Sequence, residues 1–161
     1  MNFHSGDAVM HWMHGLGTVM RLEKRDLFGK AAMYYAVKIG DLIVWVPADR
    51  ELTHRLRPPT PKARFKRLLV ELASPGEELP LDRHQRKLIL TEFLKDGRAE
   101  SLVRVIRALM TYKKIHSLND NDHNQLRRAE GSLTAEWGYI LSVTPQQAEV
   151  ELHQLLETVP A

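Results

Sequence analysis

Met33-Tyr34-Tyr35-Ala36-Val37-Lys38-Ile39-Gly40-Asp41-Leu42-Ile43-Val44-Trp45-Val46-Pro47 decides the fold of the first third of this chain. Residues 33–39 are rich in aromatic and β-branched side chains, which suit a pleated, half-buried surface. Gly40-Asp41 has the length of a two-residue hairpin loop with its glycine first. The second run stops at Pro47, which cannot donate to a ladder. Working upstream, Leu27-Phe28-Gly29-Lys30 breaks the pattern and Thr18-Val19-Met20-Arg21-Leu22 restores it. A further break at His14-Gly15-Leu16-Gly17 precedes Ala8-Val9-Met10, which the Gly6-Asp7 turn signal introduces. Four or five short strands within residues 3–57 are too few for two layers. They predict a small curled barrel of SH3 or Tudor type.

Downstream the period changes. Pro58-Pro59-Thr60-Pro61-Lys62 reads as a stiff linker, because prolines favour extended chain and block a helix. Phe65, Leu68, Leu69 and Leu72 then mark one face of a helix that ends before Ser74-Pro75-Gly76. Asp82 with Gln85 resembles a capping box, and Lys95-Asp96-Gly97 a stop, around an apolar face of Leu88, Ile89, Phe93 and Leu94. Ala99, Leu102, Val103, Ile106, Leu109 and Met110 give the cleanest amphipathic stripe. Asn119 or Asp120 caps a longer helix with Leu126, Ala129, Leu133, Trp137 and Ile140 inward. Thr144-Pro145-Gln146-Gln147 opens a last helix, with Ala148, Leu152, Leu155 and Leu156 facing in. The expected class is α+β: a barrel over residues 1–57, a linker over 58–62, and an all-α bundle of about five helices over 63–161.

With 161 residues, 43% apolar and 27% charged, the chain is neither disordered nor fibrous. It has no Cys, which excludes a disulfide scaffold, a thiolate zinc site and a cysteine nucleophile. No apolar run is long enough to cross a bilayer and no signal-peptide core opens the chain, so a soluble, cytoplasmic protein is expected. The net charge of +3 is uneven: +2 over residues 1–57, +6 over 58–116 and −5 over 117–161. That asymmetry fits either a polyanion contact through the middle third or solvated helix faces balanced by an acidic end.

Enzyme motifs are missing. There is no Walker A loop, no G-x-S-x-G elbow and no H-E-x-x-H pair. Gly15-Leu16-Gly17 lacks a third glycine and links β segments, so no helix start follows to hold a pyrophosphate. His4, His11 and His14 lack a companion carboxylate cluster at metal-ligand spacing. Asp120 and Asp122 read as helix-capping residues, since a calcium loop needs a glycine and a later Glu that are out of place. The sequence thus argues for no catalysis, no cofactor and no metal. Its informative residues are basic: Lys62, Arg64, Lys66 and Arg67 on the first helix, Arg83, His84, Arg86 and Lys87 on the second, Lys113 and Lys114 ending the third. Cations at a helix start meet the positive end of its dipole, at a few tenths of a kcal/mol each, which suggests they are kept for an external anion. Of the three tryptophans, Trp12 and Trp137 read as core. Trp45 alternates with its neighbours along a strand, so an outward Trp45 would be a partner anchor.

Phe3-x-x-Gly6-Asp7-x-Val9, His14-Gly15-x-Gly17-x-Val19, Tyr34-Tyr35-x-Val37-Lys38 and Leu42-x-Val44-x-Val46-Pro47-Ala48, taken in that order, resemble the CarD/CdnL family of bacterial transcription regulators. The same module resembles the RNA polymerase-interacting domain of transcription-repair coupling factor. The resemblance runs on through Leu94-x-x-Gly97 and Val105-Ile106-Arg107-x-Leu109. It implies a Tudor-like domain that docks on the RNA polymerase β subunit, and a helical domain that contacts promoter DNA near the −10 region, without chemistry of its own. Polymerase contact is then expected at Arg25, Trp45 and Pro47, and DNA contact at Arg83, Arg86, Lys87, Lys66 and Arg67. Arg83 stands where the family carries a Trp wedge, Trp45 where it carries a polymerase-contacting arginine, and Trp12 where it carries a proline. The alternative expectation is a divergent protein-interaction adaptor with no productive promoter contact.

Overall fold

The computed structural model describes residues 2–159, which divide between Pro59 and Thr60 into two compact units. The first is all β: β1 Ala8–His11, β2 Gly15–Leu27, β3 Lys30–Ile39, β4 Leu42–Pro47 and β5 Leu56–Arg57, with one 3-10 turn at Leu52–His54. The second holds α1 Lys62–Glu71, α2 Arg83–Leu94, α3 Ala99–Lys113, α4 Asp120–Leu141 and α5 Pro145–Glu157. This is the α+β, Tudor-like-plus-helical architecture expected from the change of period.

The strands form one antiparallel sheet in the order β4-β3-β2-β1-β5. The alternation anticipated for residues 33–47 is what the register shows: Tyr35 lies opposite Val46 and Val37 opposite Val44. With Phe3, Val9, Val19, Leu52 and Leu56 they make the core of this unit. A bulge between Val19 and Arg21 shifts the register of the long β2–β3 hairpin. Gly40 has φ +59° and carries the glycine-first loop between β3 and β4. At the other hairpin tip Phe28 (φ +59°) precedes Gly29 (φ +77°), so a bulky residue occupies left-handed backbone, a conformation costing about 1–2 kcal/mol for an L side chain. Trp12 departs from the core expectation. It is half-buried, outside the apolar cluster, with its ring 6.1 Å from that of His11. His11 accepts from the backbone N–H groups of Met13 and His14 at Nδ1, both at 3.1 Å, and so holds the turn into β2.

In the helical unit α3 is central, packing against α1, α2 and α4, while α5 closes against α4. Trp137 is core as expected, 6.3 Å edge-on from Phe65. Thr144 and Gln147 form a capping box, as do Asn119 and Asp122, whereas Asp82 caps α2 from one side only, accepting from His84 and Gln85. The proline-rich segment is less free than a linker reading suggests. Thr60 is buried, and its N–H and Oγ1 donate to Oε2 of the buried Glu136 at 2.8 and 2.7 Å. Thr60→Val, which removes one of those donors, is expected to cost about 1–3 kcal/mol in urea unfolding.

Candidate functional site

Strand parity gathers the expected docking residues on one face. Ala36 lies opposite Trp45 on β4 and Arg21 on β2; Tyr34 lies opposite Pro47 and Glu23; Ala32 lies opposite Arg25. Side chains two apart along a strand share a face, so these residues all point away from the Val37–Val46 core. Ala36 is small enough for the indole of Trp45 to lean across β3. It is fully buried beneath that cover although it sits on the outer face.

The guanidinium of Arg25 stacks 4.3 Å from the Trp45 ring centroid, and that of Arg21 lies 5.5 Å away. Between the two arginines Glu23 accepts from Arg21 Nε at 2.7 Å and pairs with Arg25 at 3.5 Å. The Arg21 hydrogen bond, with both positive charges, holds the Glu23 carboxyl below its usual range. Each group fixes its neighbour. The result is an aromatic plate edged by two oriented cations, with half-exposed Ile43 beside it. Such plates suit burial against a protein, because tryptophan offers a large, rigid contact area and the two arginines are already held in place by Glu23 and the ring.

The expected DNA residues do not form one cluster. Arg86 is a correction: its side chain is 4% exposed and its bidentate partner Asp122 1%, with Nε–Oδ1 and Nη2–Oδ2 both at 2.9 Å. Nη1 donates to the carbonyls of Pro80 and Leu81, and the guanidinium lies 4.6 Å from the Tyr112 ring. A group so enclosed is no phosphate ligand; it joins α2 to α4. Arg83 and Lys87 remain exposed on the first turns of α2, lining a cleft with His84, Asn119, Asp120 and Asn121. Lys66 and Arg67 are exposed on α1. That helix meets the first turn of α3 through Arg64 and Glu100, whereas α2 begins beside Tyr112 in the last turn of α3. At 1.5 Å per residue the two cation groups stand roughly 18 Å apart along α3.

Period alone could have found the buried pair. Arg86 precedes Leu90 and Leu94 at four-residue steps, and Asp122 precedes Leu126 in the same way, each on the buried side of its helix.

A family model described as the CarD-like/TRCF RID domain matches residues 3–58, which is the sheet unit. Among curated proteins, a candidate transcription factor of Bacillus subtilis (strain 168), YdeB, is 27% identical over 147 residues, covering 90% of this chain and 96% of that protein. No described helix is long and apolar enough to cross a membrane. The matched residues carry the Arg25–Trp45 plate, the similarity to the Bacillus protein extends through the helical residues as well, and the chain thus resembles CarD-like transcription factors.

Proposed function

We propose that this protein docks on the β subunit of RNA polymerase through the outer sheet face centred on Trp45, with Arg25 and Pro47, and modulates initiation at promoters. The observation that carries the reading is the preorganised Arg25–Trp45 stack with Glu23 behind it, on the unit matched by the RID domain model. The direct test is to isolate the tagged chain from its host. The β subunit should co-purify in near-stoichiometric amount and survive moderate salt, because an apolar plate carries the contact. Its absence from the retained material would end the reading.

Promoter DNA is the second contact proposed, through Arg83 and Lys87 at the exposed start of α2. Arg83, in the place of the family's wedge, suits a narrow minor groove, where negative potential draws guanidinium groups. Arg83→Ala combined with Lys87→Ala is expected to lower the slope of log affinity against log salt by about 2 on a promoter duplex. An unchanged slope removes both residues from the interface.

The adaptor reading is favoured by one specific observation: the inward turn of Arg86 leaves few cations at the α2 start, beside Asp120. Under that reading promoter fragments bind no better than random duplex, while polymerase is still retained.

A further inference from the structure

Among the described residues Phe28 is the most exposed large apolar side chain, at 103% of its reference area. It stands at the tip of the β2–β3 hairpin, where Leu27 pairs with Lys30 and both loop residues have positive φ. That is the mirror-image two-residue turn whose first position favours asparagine. Phenylalanine is poorly suited to the site twice over, by its backbone conformation and by leaving a whole ring in water. The core cluster of its unit does not include it. Backbone strain that the fold does not use points to a role outside the fold.

The position suggests where that role lies. Phe28 is three residues beyond Arg25, about 10 Å of extended strand, so the tip ends the arm whose outer face carries Arg25. On the opposite side of the same arm Leu22 and Met33 are 49% and 40% exposed. Lys24, Arg25 and Lys30 surround the tip against the single acid Asp26, giving residues 24–30 a local charge of +2.

We propose that Phe28 is an apolar anchor, inserted into an acid-rimmed hydrophobic recess of RNA polymerase next to the surface that meets Trp45. This rests on the polymerase-docking reading above and adds a contact to it. Buried aromatic anchors of this kind dominate interface energetics, and a rigid two-residue turn presents the ring with little freedom to lose.

The test sets stability against affinity in the full-length chain, with purified host RNA polymerase as the probe. Phe28→Asn is expected to raise Tm by about 2–4 °C, because it suits the turn, while weakening polymerase binding at least about tenfold. Phe28→Leu, which keeps an apolar tip, should stay within about threefold of the parent. If Phe28→Asn binds like the parent while Trp45→Ala does not, the tip assignment fails and the docking face stands. If neither variant weakens binding, both fall. A drop in Tm with Phe28→Asn would return the residue to the fold and overturn the proposal. So would altered self-association in sedimentation with unchanged polymerase affinity, which would make a second copy of the chain the occupant.

Discussion

Asp122→Ala is expected to destabilise the helical unit by about 3–5 kcal/mol, because it leaves a buried guanidinium without its counter-charge. Arg86 has nowhere else to turn: two N–H groups are directed at Asp122, Nη1 at the Pro80 and Leu81 carbonyls, and its face covers Tyr112. The same carboxylate also accepts from the Asn119 N–H in the α4 capping box, so the substitution removes a cap as well. Against a total stability of about 5–15 kcal/mol for a domain, a loss of that size brings the unit near its unfolding threshold. Urea titration followed by helical circular dichroism measures it directly. The joint replacement Arg86→Met with Asp122→Leu should recover most of the loss, since apolar pairs of similar volume commonly match a buried ion pair. A double variant as unstable as the single one would show that the charge imbalance is not the cause. The pair also matters for function, because it fixes the first turns of α2, where Arg83 and Lys87 are displayed.

The sequence made the fold legible where a period is long or a turn is chemically marked. The two apolar runs around Gly40-Asp41 could only be a hairpin, and the stripe from Ala99 to Met110 only a helix. Thr144-Pro145-Gln146-Gln147 named its own capping box. Other features depend on what lies across a gap that spacing cannot see. Charge near a helix start makes Arg86 a surface cation by local sequence alone; its counter-ion sits 36 residues away on another helix. Thr60 sits in a linker-like run of prolines, but Glu136, 76 residues on, accepts from both of its donors. Size alone places Trp12 in the core, yet its neighbours leave it half-buried. Trp45 posed a question of parity. Alternation states that Trp45 faces away from Val44 and Val46, but only the partner strands decide which face is covered.

Trp45→Ala is expected to lower affinity for RNA polymerase by at least about 100-fold, while changing the stability of the sheet unit by only about 1 kcal/mol. The asymmetry follows from where the ring lies. Its strand neighbours Val44 and Val46 fill the core, whereas the indole covers Ala36 and supports two guanidiniums that the fold does not otherwise require. Removing the ring takes away a large apolar contact and also releases Arg25 and Arg21 from their fixed positions. Each then loses more side-chain entropy on binding, so the variant forfeits preorganisation as well as area. Arg25→Glu tests the same plate through charge. It sets a second carboxylate beside Glu23, removes the stacked cation and should abolish binding at moderate salt, whereas Trp45→Phe, which preserves a ring beneath Arg25, should stay within about tenfold of the parent. Isothermal titration with purified polymerase, alongside thermal unfolding of each variant, separates the two effects. Affinity loss that tracked stability loss across the three variants would make the plate a structural brace; loss of binding at near-parental stability makes it the docking surface.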